Sequence, residues 1–483
     1  MEEKSKVIFG NKISKKDYNK ACKSKEKYLK KFGDDSNTNY KLGSKPNSTL
    51  SNLLGIQDVV VNDGGEPIDQ EKGLIVGNIR MGFGHYRISM AIASAARYKG
   101  YTPYWFDLHA YQETSGGKII KHLNELYSMG SRWSQKYSLF NKFYWEPLNS
   151  EGFRKLSYNA VDQKTSELMA PVYKNFPKDI PFVATHVWPA QAAIHAGLTN
   201  VVNAIPDNWQ MALHLAEGSV HAVQTPSSYF GYKILNGMSK EIKSGIPEGQ
   251  LYDVGHYIDH ELVSNLKEDT AKRLDRVTNN KPLRILLTIG GAGAQKEIFT
   301  TIIRELIPLI NQNKAVLYVN VGDHEGVWKG LEKEIQELKD ATKHFDEWEK
   351  TVKFCENAIV GQVKGIHAFF HTDIFPAVYV TNLLMRSSDI LATKPSELAF
   401  YPIPKLMIKR IGGHEAWGAI RAAEVGDGTI EVETIPKMLQ TFRLLLNERG
   451  ILKMMNENIL KANEIGTYNG AYKVIELLEK KKR

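Results

Sequence analysis

Twice along this chain a short apolar run ends in a glycine-containing turn that opens onto a helix, and this repeated unit narrows the possible folds more than any other feature. The first copy has an apolar strand at residues 73–79, a turn through Gly82 and Gly84, and a helix with small and apolar periodicity at 88–98. Further strands are predicted at 102–106, 181–185 and 201–204, with longer helical or irregular segments between them. The second copy has a strand at 284–289, a loop at 290–295, a helix at 297–311 and a strand at 315–321. Later strands are predicted at 390–393, 405–408 and 429–432, and a closing helical segment at 435–478. Strands that alternate with helices imply parallel sheets, so the pattern predicts two doubly wound α/β halves. In such sheets ligands bind outside the carboxyl ends of the strands, where both glycine-rich loops fall.

The domain organisation follows from where this pattern starts and stops. Residues 1–71 read as a polar, basic extension with one short helix near 18–32, 72–262 as the first domain and 281–455 as the second. The boundary is expected between Asp259 and Asn280, and 456–483 reads as a closing helix that can return to the first domain. The aromatic stretch 361–386 matches no single period and stays unassigned. A chain of 483 residues with 42% hydrophobic residues has enough apolar material for two cores. No run approaches the ~18 apolar residues of a spanning helix, and the lysine-rich start lacks the apolar core of a signal peptide. A cytoplasmic protein is expected. Cys22 and Cys355 are far apart and without metal-ligand spacing, so neither a disulfide framework nor a metal site is suggested. The formal charge of +9 favours an anionic partner, although much of the excess lies in the terminal regions, where like charges usually form solvated tails.

Three loops carry the candidate chemistry. In Gly82-Phe83-Gly84-His85 the glycines allow a tight turn, the helix start offers unpaired N–H groups, and His85 can accept a proton near neutral pH or simply cap the helix. In Gly290-Gly291-Ala292-Gly293 the backbone can surround a phosphate; the loop lacks the Lys-Ser/Thr ending of an ATP-type P-loop and the full dinucleotide fingerprint. In the third region Lys394, Ser396 and Glu397 follow a strand, and Gly413-His414-Glu415 follow another. Glu397 can accept hydrogen bonds from a ribose diol or stabilise a helix start, and His414 and Glu415 can bond to sugar hydroxyls.

Taken in order, these loops resemble the glycosyltransferase family of monogalactosyldiacylglycerol synthases and the peptidoglycan GlcNAc transferase that acts on a polyprenyl-linked acceptor. Gly82-Phe83-Gly84-His85 is similar to the family's Gly-Gly-Gly-His turn, and Asp107-Leu108 to its next Asp-Leu. Thr185-His186 resembles its Val-His pair. Asp207, Trp209 and His214 look like its Thr-Asp segment with Trp and His, and Gly255-His256-Tyr257-Ile258 like the segment that closes the first domain. Gly290-Gly291-Ala292-Gly293 resembles the donor-phosphate loop, Glu397 falls where the ribose-binding Glu stands, and Gly413-His414-Glu415 is similar to its Gly-Gln-Glu. Two departures stand out: only Pro395 and Ser396 separate Lys394 from Glu397, and His414 replaces Gln.

The resemblance implies a GT-B fold, two Rossmann-like doubly wound domains facing a cleft, and inverting transfer of a hexose from a UDP-sugar to a hydroxyl. It implies a lipid or polyprenyl-linked acceptor, which a peripheral position on an anionic membrane surface would serve; Trp133, Tyr144 and Trp145 offer apolar contact there or belong to the core. His85 is the leading base, with Asp107, His186 and Asp207 as alternatives. Gly82, Gly84, His186, Trp209 and His214 are expected on the acceptor side. Gly290, Gly291, Ala292, Gly293, Lys394, Ser396, Glu397, Gly413, His414 and Glu415 are expected to bind the donor. No cofactor, metal or nucleic-acid partner is implied, and Asp373 and Asp389 are isolated carboxylates. A UDP-sugar epimerase or hydrolase on the same fold, or a non-catalytic nucleotide-sugar-binding protein, is the alternative.

Overall fold

The computed structural model describes residues 3–289 and 295–482. The chain forms two compact units. One comprises Met1–Asp259, Gly412–His414 and Asn469–Arg483, and the other His260–Ile411 and Glu415–Tyr468.

In the first unit a small hairpin, β1 (Val7–Ile8) and β2 (Asn11–Lys12), precedes an eight-stranded sheet. Its strands are β3 (Leu42–Pro46), β4 (Gln57–Val61), β5 (Gly73–Asn78), β6 (Thr102–Asp107), β7 (Phe182–Ala184), β8 (Val201–Ala204), β9 (Val220–Val223) and β10 (Leu251–Asp253). Their order is β10-β9-β8-β7-β5-β6-β4-β3; β3 runs antiparallel to β4, and the other neighbours are parallel. The centre explains itself: Leu74, Ile75 and Val76 of β5 are fully buried, as a parallel strand covered on both faces requires. Gly77 faces the opposite way from its neighbours and lies under Phe182 and Pro189, where a Cβ would overlap the Phe182 ring and sit 3.3 Å from Pro189. From β5 the chain goes to β6 on one side and later returns to β7 on the other. The crevice outside the ends of β5 and β7 is therefore the topological switch point.

In the second unit β11 (Leu283–Thr288), β12 (Ala315–Asn320), β13 (Thr342–Phe345), β14 (Gly365–Phe370), β15 (Ile390–Thr393) and β16 (Lys405–Met407) form an all-parallel sheet in the order β13-β14-β12-β11-β15-β16. The helix Lys296–Asn311 lays Phe299, Ile302, Ile303 and Leu306 on Ile285, Leu287, Leu317 and Val319, and each such buried side chain contributes about 1.5–3 kcal/mol. Here the switch point lies between β11 and β15. The fold class read from the sequence, α/β with two Rossmann-like doubly wound halves, is the one observed.

The structure differs from the sequence reading at four places. The stretch read as a polar extension holds the expected helix, Lys15–Phe32, but also contributes β3 and β4 to the sheet, with Val59 and Val61 buried while Asp58 and Val60 are half-buried. The stretch read as a polar boundary contains the helix Leu266–Thr278, whose Arg273 is buried and donates to the carbonyls of Met385, Ser388 and Pro402 at 2.9–3.0 Å. Residues 361–386 hold β14 and the helix Ile374–Met385, which is buried on nearly every side and so shows no amphipathic period. The strand expected at 429–432 appears only as isolated bridges from Lys405 to Gly428 and from Ile408 to Val432, because the Thr429 hydroxyl takes the Met407 N–H at 3.0 Å.

The closing segment is three helices, Ile435–Asn447, Arg449–Glu464 and Gly470–Lys482. The last belongs to the first unit, where Lys99 pairs with Glu476 at 3.2 Å, Asn200 donates to the Leu478 carbonyl at 3.3 Å and the Gly470 N–H donates to the His256 carbonyl at 2.9 Å. Among the described residues no helix is long and apolar enough to cross a membrane.

Candidate functional site

Four adjacent strands of the first unit deliver the predicted residues to one end of its sheet. The turn after β5 carries Gly82, in a left-handed conformation (φ +74°), and leads to the helix Gly84–Tyr98, which has no side-chain cap. His85, half-buried in the first turn of that helix, places Nδ1 2.7 Å from the Thr185 carbonyl at the end of β7. A carbonyl can only accept, so Nδ1 carries the proton, and in the neutral ring Nε2 keeps its lone pair. His186 follows Thr185 and caps the helix Val187–His195, its Nδ1 accepting the Trp188 N–H at 3.2 Å. The His85 and His186 rings meet edge to face with centroids 4.9 Å apart, directly over the switch point. Burial holds His186 well below its ordinary pKa, helped by the neighbouring His85 and His214 and opposed by Asp207.

The loop after β8 adds a second set. His214 is buried, with Nε2 3.1 Å from Oδ2 of Asp207 and Nδ1 2.7 Å from the Tyr232 hydroxyl. Burial, the largest single influence, would raise the Asp207 carboxyl, but the hydrogen bond from His214 and the charges of His414, His214 and His85 together outweigh it and hold the group far below the usual carboxylate range. Burial keeps the Tyr232 phenol protonated. In the neutral His214 ring, Tyr232 O–H donates to Nδ1 and Nε2–H donates to an ionised Asp207 whose side chain is 33% exposed. Half-buried Trp209 lies under Arg154, whose guanidinium carbon is 4.1 Å from the ring centroid and which donates to the carbonyls of Gln210 (3.3 Å) and Asn236 (2.9 Å).

Asp107, at the end of β6, takes a different place. It is buried, accepts the Tyr86 hydroxyl and the His109 N–H (2.9 Å), and caps a short 3-10 turn, while burial lifts its pKa above the ordinary value. Tyr86 is the neighbour of His85, so Asp107 anchors the turn that presents His85. Tyr232, Arg154, Trp188 and Asp162 are absent from the sequence reading; no motif or spacing marks them, since each acts through a contact across the fold.

In the second unit, Lys394, Ser396 and Glu397 follow β15 at its switch point, and Glu397 is half-buried at the start of the 3-10 turn Glu397–Phe400. Lys394 forms an ion pair with Glu415, which is buried and also accepts the Ile411 N–H at 2.8 Å. These two residues, both read as donor ligands, thus tie the loop after β15 to Ile411 within the second unit. His414 and Gly413, which belong to the first unit, are half-buried. Gly290, Gly291, Ala292 and Gly293 lie outside the described residues. Among the described residues no group of three or more His, Cys, Asp or Glu could hold a metal ion.

Comparison with solved structures finds similarity to UDP-GlcNAc 2-epimerase from Neisseria meningitidis bound to UDP-GlcNAc (12% identity over 84% of this chain and 100% of that one, TM-score 0.46). A glycosyltransferase from Rickettsia africae is similar at 13% identity over 85% of this chain and 97% of that one, TM-score 0.39. An α,α-trehalose-phosphate synthase (UDP-forming) from Burkholderia xenovorans in complex with glucose-6-phosphate is similar at 14% identity over 67% and 77%, TM-score 0.35. No curated protein matches the sequence. Residues 7–234 match the model of a domain of unknown function, DUF6937, and residues 246–479 match that of a second, DUF6938.

Proposed function

We propose that the chain is an inverting glycosyltransferase that moves a hexose from a UDP-sugar to a hydroxyl acceptor, with His85 as general base. The observation that carries this reading is the His85 contact with the Thr185 carbonyl: it assigns the proton to Nδ1 and leaves Nε2 as the basic atom at a switch point. Inversion in one displacement needs a base of this kind: Nε2 takes the acceptor proton as the new C–O bond forms and the bond to UDP breaks. Asp207 is a poor base, because its depressed pKa leaves little drive to take a proton; an ionised carboxylate suits it to orient an acceptor hydroxyl. Asp107, already occupied by Tyr86 and His109, serves the turn. In the second unit Glu397 and Ser396 are assigned to the UDP ribose and phosphates, with Gly290, Gly291, Ala292 and Gly293 as the phosphate loop. Lys394 and Glu415 shape that site through their ion pair, and Gly413 and His414 approach the sugar.

The acceptor is assigned to a lipid or polyprenyl-linked class. Leu126, Trp133, Tyr137, Leu139, Phe143 and Tyr144 are all exposed, Phe143 by 71%. Arg132, Lys136 and Lys142 lie among them without any Asp or Glu from 126 to 145. Aromatic rings beside cations suit an anionic bilayer surface.

Product analysis tests the reading. A UDP-sugar panel is incubated with the protein, with and without diacylglycerol or a polyprenyl phosphate sugar. UDP release with a glycosylated acceptor supports transfer. An isomerised sugar or free sugar from donor alone would replace it with the epimerase or hydrolase, and UDP binding without any product with the non-catalytic protein.

A further inference from the structure

His85 and His186 sit in one crevice in opposite tautomers. The proton of His85 is on Nδ1, facing the Thr185 carbonyl. His186 uses Nδ1 to accept the Trp188 N–H at 3.2 Å, so in the neutral ring its proton is on Nε2, for which no acceptor exists among the described residues. One imidazole thus accepts and its neighbour donates, with ring centroids 4.9 Å apart. A hydroxyl group, one donor and an acceptor oxygen, is the chemical complement of such a pair.

Behind His186 stands a support that the site itself does not use. The Trp188 indole packs on the His186 ring at 4.6 Å, and its Nε1–H donates to Oδ1 of Asp162 at 3.1 Å. Asp162 comes from the helix Leu156–Ser166, is buried, and leaves Oδ2 without a partner. A buried carboxylate with one bare oxygen is costly, and burial pushes the Asp162 carboxyl up to about 8. A neutral acid resolves this cost and keeps the acceptor that holds the indole. The groups facing His186 are His85, His214 and Asp207; those near Asp162 are Tyr28 and Tyr158, both held protonated.

We propose that His186 is a fixed hydrogen-bond donor to a ligand oxygen in this crevice, with Asp162 acting through Trp188 as its positioning residue. That the oxygen belongs to the acceptor hydroxyl rests on the transferase reading above; the donor role itself does not. His186 is therefore a partner of the base and not a second base.

The test uses the full chain with nitrogen-15-labelled histidine and long-range proton–nitrogen correlation spectra, His85 and His186 being assigned from H85Q and H186Q. Expected is a His186 ring protonated at Nε2 and still neutral where an ordinary histidine is already charged, beside a His85 ring protonated at Nδ1. D162N, neutral and still an acceptor, keeps this pattern, whereas D162L and W188F let His186 turn, so that its nitrogen signals average between tautomers or titrate at a higher pH than in the wild type. A wild-type His186 protonated at Nδ1, or charging near its ordinary pKa, overturns the donor role. An unchanged pattern in W188F overturns the positioning role even if D162L does not fold. Where transfer is measurable, H186L raises the acceptor KM by roughly 3- to 10-fold, as loss of one neutral hydrogen bond predicts, and H186Q, which keeps an N–H, recovers most of it. Absence of transfer with every sugar would sink the transferase reading and leave the tautomer result standing.

Discussion

A single backbone contact decides what His85 can do, and the same holds for each titratable group in the crevice: its partner, more than its residue type, sets its role. H85Q removes the lone pair at Nε2 while filling a similar volume. Transfer is expected to fall by about 10²- to 10⁴-fold, with stability changed by less than about 1 kcal/mol, read from kcat and from thermal melting. Asp162 supplies a pH test. Its folded pKa is raised to about 8 against an unfolded value near 3.9, so the folded state binds the extra proton throughout that window. Stability from this group therefore falls as pH rises from about 4 to 8. D162N cannot ionise, so its melting temperature is expected to gain on the wild type across that window; parallel curves for the two proteins would contradict the assignment.

At the scale of elements, close packing and exposed faces make separate demands. Gly77 lets β5 lie against Phe182 and Pro189, and the one extra carbon of G77A has no room unless Phe182 shifts. Overpacking of this kind costs about 1–3 kcal/mol, to be read as a lowered denaturation midpoint at constant m. The segment that follows Leu126 makes the opposite demand, since its apolar side chains are in water. Trp145 is the exception: it is buried against Tyr127 at 5.2 Å, while Trp133 and Tyr144 remain exposed. If this face meets an anionic bilayer, K136E/K142E should cut co-sedimentation with phosphatidylserine vesicles at low salt by more than tenfold, given about 1 kcal/mol per cation, and leave the melting temperature unchanged. Equal retention of the variant and the wild type would remove the membrane from the reading.

For the molecule as a whole, the donor assignment is a linkage experiment. UDP at ~100 times its Kd should stabilise the folded chain by about 2.7 kcal/mol, GDP, ADP and CMP should not, and Glu397→Ala should abolish the shift. No shift with any nucleotide at millimolar concentration would leave the second unit without its proposed ligand. The sequence by itself determined the two α/β halves, because Leu74-Ile75-Val76 and Ile285-Leu286-Leu287 are apolar runs that only covered parallel strands or buried helices can absorb, and each leads into a glycine-containing turn. It also placed His85, His186, Asp207 and His214 on loops that the topology later gathers. It did not show β3 and β4 in the polar first 71 residues, where burial alternates weakly at a sheet edge, nor the helix Ile374–Met385, where burial on all sides erases the period. The roles of the gathered residues were decided only by tertiary structure. Asp107 and Asp207 are the same residue type, one ending β6 and the other following β8 in the same sheet. Yet one is buried under Tyr86 with its pKa raised, while the other is held ionised by His214 and reaches solvent. Burial and long-range partners set the charge and the proton position of an acid or an imidazole, and neither quantity has any periodic or local signature along the chain.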